Sequence, residues 1–176
     1  MKTATYVSFF GVLGLLLTGI QSGPESGHVN GSAAHCAQVG ELIAFVVKET
    51  GYPPVQNCPR VRVTSTEALI AIIAPHASAQ GEVPRAAYVA ANREILLSPD
   101  VVLATPIGLS YLVHEFVHMH QFESGAYARA PCVGWLEGEA YRVQASYLRT
   151  HGLAKDAFAF EMLGMLQSAC AHFYHK

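Results

Sequence analysis

The stretch Leu112-Val113-His114-Glu115-Phe116-Val117-His118 constrains this chain more than any other, because its chemistry works only on a helix. Residues four apart on a helix stand one above the other, so His114 and His118 can aim both imidazoles at one metal ion. Zinc is the metal that best suits nitrogen donors in a tetrahedral shell. Glu115 stands about 100° further round the helix, beside the metal position and not aimed at it. A carboxylate there can take a proton from a metal-bound water, the general-base role this pattern commonly carries. The flanks supply the helix. Thr105-Pro106 offers a hydroxyl N-cap with proline at the first helical position, and Ser124-Gly125 offers a stop after Glu123.

Two histidines leave the set incomplete, since a catalytic zinc takes three protein ligands and keeps one open position. The downstream candidates are His120, Glu123, Cys132, Glu137 and Glu139. His120 lies two residues beyond His118, points to nearly the opposite helix face, and reads as a packing or surface histidine. Glu123 would also have to swing round. Cys132 is drawn away from metal wherever it is paired in a disulfide, since a bridged sulfur is not free to coordinate. Glu137 and Glu139 fall on a helix expected from about Gly134 to Arg149, and only one of them can face the metal. Either can approach the histidines if the two helices pack antiparallel across the intervening loop. Tyr127, Tyr141, Arg142, Tyr147 and His151 are available to stabilise a developing oxyanion, and the sequence does not choose among them. Trp135 reads most simply as core.

Elsewhere the patterns alternate in type. Val39, Leu42, Ile43 and Val46 recur at helical spacing from about Ala34 until Gly51 and Pro53-Pro54. Arg60 to Val63 alternates charge with valine, as a half-buried strand does. Thr64-x-x-Glu67 is a capping box opening a helix to Ala74, and 76–85 reads as a loop. Ala87 to Ser98 reads as a hairpin turning at Asn92-Arg93. Gly152 separates the helix of residues 134–149 from a last helix, Ala154 to about Phe173. Strands and helices do not alternate regularly, so the fold class is α+β with segregated elements, a small sheet packed on the motif helix and two following helices.

The 176 residues suit one domain, and a net charge of −2 without any basic run argues against a nucleic-acid partner. Tyr6 to Ile20 is apolar and follows Lys2. It is shorter than the roughly 20 residues that span a bilayer and matches a signal-peptide core. Residues 1–22 are therefore read as a signal peptide, 23–33 as a flexible linker and 34–176 as the folded domain. An uncleaved anchor is the rival; after cleavage no stable membrane span remains. In both cases the domain is extracytoplasmic, secreted or periplasmic. In that setting four cysteines imply disulfides, with Cys36–Cys58 and Cys132–Cys170 the favoured pairing. Oligomeric state leaves no mark in the sequence.

His114-Glu115-Phe116-Val117-His118, followed 21 residues later by Glu139-Ala140, resembles the gluzincins, the thermolysin-like branch of zinc metallopeptidases. The likeness covers roughly residues 88–148. It implies zinc on His114, His118 and Glu139, with Glu115 activating water, and a peptide or protein substrate. It also implies that Glu94 to Leu97 is the edge strand that lays out substrate. The family's Asp four residues after the ligand Glu is Val143 here, so Gln121 or Gln144 must support the histidines instead. Glu137 stays open as the rival third ligand. The second functional reading is a metal-binding or interaction protein that has lost turnover, and a hydrolase of non-peptide substrates is the third.

Overall fold

The structure is a computed structural model and describes residues 33–55, 57–73 and 83–170. Its order is α1 (Ala33–Thr50), β1 (Arg60–Val63), α2 (Thr66–Ile73), β2 (Ala86–Val89), β3 (Glu94–Leu97), α3 (Pro106–Glu123), α4 (Ala126–Arg129), α5 (Val133–Thr150) and α6 (Ala154–Gln167). The class is α+β, as the sequence predicts. The apolar run, the linker, most of the 76–85 loop and the last six residues lie outside the described residues.

β3 forms the middle of a three-stranded sheet, parallel to β1 (Arg60↔Glu94 to Val63↔Leu97) and antiparallel to β2 (Ala86↔Leu97 to Val89↔Glu94). This corrects the expectation that Glu94 to Leu97 is an edge strand. All four of its residues are buried, and such a run suits a strand with neighbours on both sides. Glu94 tolerates burial because Arg62 and Asn92 both donate to its carboxylate. β2 is the antiparallel edge.

Backbone pairing fixes what that edge exposes. The Ser98 N–H donates to Arg85 O at 2.8 Å, so residues 85 and 98 form a hydrogen-bonded pair. Antiparallel pairs alternate, so the amides and carbonyls of Ala86 and Tyr88 point away from β3. One sheet face packs Val61, Ile95 and Leu97 against Val39 and Val46 of α1 and Leu112, Val113, Phe116 and Val117 of α3. The other packs Ala87 and Leu96 against Leu69 of α2. The motif helix is thus held between sheet and helices, with apolar contacts on most of its circumference.

Local signals set the boundaries. Thr105 caps α3 by accepting from the Gly108 N–H at 3.0 Å. α2 begins later than its capping box suggests. Thr64 still donates its N–H to Leu97 O in the sheet, and Ser65 takes over as cap by accepting from the Ala68 N–H. The single turn α4 was not anticipated. α6 stops at Gln167 and not near Phe173, because the chain leaves the helix to bring Cys170 to Cys132 at the start of α5 (Cα–Cα 5.7 Å). Cys58 is also disulfide-bonded, while the side chain of its expected partner, Cys36, lies outside the described residues. α5 and α6 cross closely: a Cβ on Gly164 would lie 2.8 Å from the Tyr141 Cβ. Among the described residues no helix is long and apolar enough to cross a membrane.

Candidate functional site

α3 and α5 run antiparallel, as the pairs of side chains between them show. Gln144 meets Ser110 and His114, Glu137 meets His118, and Gln121 meets the Leu136 carbonyl. As α3 advances, α5 recedes. This packing carries a carboxylate to the two histidines, and it is Glu137. His114 Nε2 and His118 Nε2 lie 3.0 Å apart. Glu137 stands 3.4 Å from each, through Oε2 and Oε1 respectively. One donor atom from each residue falls within 4.8 Å of the others.

Glu139, expected as the third ligand, is not brought to the histidines. Two residues along α5 rotate its side chain by about 200° from Glu137. Its Oε2 instead accepts from Tyr52 Oη at 2.7 Å and from Gln121 Nε2 at 2.9 Å. Tyr52 is the residue that sequence reasoning passed over, because it lies 87 positions from Glu139 and sits just beyond the Gly51 helix stop. Nothing local marks it.

The support expected from Gln121 or Gln144 comes from both. Ser110 Oγ donates to Ile107 O at 2.7 Å, so it accepts from Gln144 Nε2 at 3.0 Å. The Gln144 oxygen must then face His114 Nδ1 (3.1 Å), and Nδ1 must carry the proton. His114 Nε2 is left bare toward Glu137 and His118. Gln121 Oε1 lies 2.9 Å from His118 Nδ1 in the equivalent place.

Burial and charge compete at each acid. Burial pushes the Glu137 carboxyl up, but His118 and His114 beside it outweigh that and hold it well below the usual carboxylate range. For His118 burial works against the charged form, and Glu137 overcomes it, raising the imidazole to about 9. Glu115 is 6% exposed, and burial raises its carboxyl despite the nearby histidines. A backbone hydrogen bond from Tyr88, on the outward side of β2, acts on the same carboxylate in the lowering direction.

The remaining candidates separate by position. His120 is a packing residue, 1% exposed, with Nδ1 donating to Pro53 O and its ring stacked on Tyr52. The Tyr141 ring lies 4.6 Å from His114 and stacks on Phe160. Tyr147 and His151 pack on each other, and Tyr127 packs on Phe122. Arg142 is exposed, and so is Trp135 at 44%, which was expected in the core. Cys132 is in its disulfide.

Two imidazole nitrogens and a carboxylate are the donor set of a three-ligand catalytic zinc site, so these residues fit that ion. Fold and site together define a small α+β domain whose His-Glu-x-x-His helix is closed by a carboxylate from the next long helix. The chain belongs to the family described as Domain of unknown function (DUF6647), which it matches over residues 32–174. No curated protein and no solved structure matches it.

Proposed function

We propose that this chain is an extracytoplasmic zinc-dependent hydrolase, in the first instance a peptidase, with His114, His118 and Glu137 as the metal ligands. The observation that carries this is the convergence of the three donors within 4.8 Å, with the Glu115 carboxylate buried alongside. A bound zinc ion would supply a Lewis acid that polarises a carbonyl and makes water more acidic. Gln144 and Gln121 hold the two imidazoles by Nδ1, so that each Nε2 is turned toward Glu137 and would be free to bind the ion. Glu115 takes the proton of the attacking water and returns it to the leaving amine; burial shifts its carboxyl upward, the direction that makes a carboxylate a stronger base. The outward amide and carbonyl of Ala86 and the outward carbonyl of Tyr88 can pair with an extended peptide laid along β2, while the Tyr88 N–H is held by Glu115. That moves the substrate strand implied by the gluzincin likeness from β3 to β2. The Cys132–Cys170 bridge supports a location outside the cytoplasm.

Glu115→Gln tests the chemistry, since it preserves volume and removes the proton acceptor. Zinc should stay bound, and hydrolysis of a casein and peptide panel should fall by at least about two orders of magnitude. Equal cleavage by the variant would remove Glu115 from the mechanism. A wild-type protein that holds zinc and cleaves nothing would favour a metal-binding protein without turnover.

A further inference from the structure

Gln121 is wholly buried between α3 and α5, and every polar atom of its amide is assigned. Its Nε2 donates to Leu136 O at 2.9 Å and to Glu139 Oε2 at 2.9 Å. A carbonyl oxygen only accepts, and Glu139 is already accepting from Tyr52, so both amide hydrogens are committed there. The orientation of the amide is therefore forced. Its oxygen has one place to go, His118 Nδ1 at 2.9 Å, and His118 Nδ1 must donate.

Taking His114, His118 and Glu137 as the metal ligands proposed above, we propose that Glu139 is a positioning residue for His118. Together with the Leu136 carbonyl it holds the Gln121 amide, and Tyr52 in turn holds Glu139 from the segment after α1. The proton kept on Nδ1 leaves Nε2 to bind the metal. The two glutamates of Glu137-Gly138-Glu139 thus divide the work, one meeting the ion and the other fixing a ligand from behind. His114 has its own brace through Gln144 and Ser110, which is independent of Glu139.

The test compares Glu139→Ala, Glu139→Gln and Tyr52→Phe by zinc competition titration and by the 15N-histidine spectrum of metal-free protein. Partners behind metal-binding histidines are typically worth about 10- to 100-fold in metal affinity. Glu139→Ala should weaken zinc about tenfold while keeping one zinc per chain, and should expose the His118 Nδ1–H to fast solvent exchange. The His114 Nδ1–H should stay protected, which a general loss of structure would not allow. Glu139→Gln keeps an acceptor oxygen and should behave as wild type in both measurements, and Tyr52→Phe should fall between. An unchanged zinc affinity and His118 signal in Glu139→Ala would overturn the positioning role. Loss of stoichiometric zinc in that variant would also overturn it, by making Glu139 a ligand. A wild-type chain without zinc affinity would defeat the metal reading alone, and the His118 signal would then decide the role of Glu139.

Discussion

Two positions along α5 separate Glu137 from Glu139, and on a helix that is more than half a turn. From sequence the two are equivalent candidates, and likeness to gluzincins favours Glu139. Only the rotation of α5 about its own axis decides between them, and that is set by packing residues such as Ala140 and Val143, both fully buried. We expect Glu137→Ala to weaken zinc binding far more than Glu139→Ala does, with His118→Ala losing the ion. The opposite ranking in equilibrium dialysis would return the ligand role to Glu139. His114, Glu115 and His118 were legible because their relation lies within one helix. Tyr52 was not, since its role depends on where α1 ends against α5. Tyr147 gives a prediction that needs no metal. Burial raises its phenol above the ordinary value of 10.0, so the unfolded chain ionises first as pH climbs. The folded state then holds more protons, and its advantage is full below pH 10 and lost as pH rises through the folded value. Urea midpoints measured from pH 8 to 11 should fall less steeply in Tyr147→Phe, although Tyr52 and Tyr88, also raised, and His118, raised to about 9, keep some slope in both.

At the scale of elements, periodicity and capping located α1, α3, α5 and the strands to within a residue or two, because those signals are local. Strand order was out of their reach. Glu94-Ile95-Leu96-Leu97 reads the same whether it is edge or centre until β1, some thirty residues earlier, is known to pair with it. The end of α6 was likewise set from outside, by the bridge to α5. The crossing of these two helices is open to a direct test. Gly164→Ala adds a Cβ 2.8 Å from the Tyr141 Cβ, which sits too near its backbone to swing aside. Overpacking of this kind costs about 1–3 kcal/mol, against a helix-propensity gain of at most about 1 kcal/mol. Chemical denaturation should therefore show a net loss, and a stabilised variant would mean that the helices cross less closely than described.

Across the whole molecule, disulfides at Cys132–Cys170 and at Cys58 tie segments packed around a core that includes the sandwiched motif helix. Cys132–Cys170 closes a loop of 38 residues around the α5–α6 hairpin. Replacing both with serine should cost about 2–5 kcal/mol, visible as a lower urea midpoint. Peptide mapping without reductant should recover the Cys132–Cys170 fragment and find Cys58 in a second bridge; four alkylatable thiols in native protein would contradict both. The connections also carry a kinetic consequence. α3 and α5 are joined by residues 124–132, whereas β1 and β3 are joined by 64–93. Closure entropy grows as three-halves RT times the logarithm of loop length, so the sheet pairing starts about 1 kcal/mol behind. By the same measure the β2–β3 hairpin, closed by residues 90–93, and the helices bearing the two histidines and Glu137 start ahead of the parallel pairing, so β1 is the strand expected to join last, against a site already gathered.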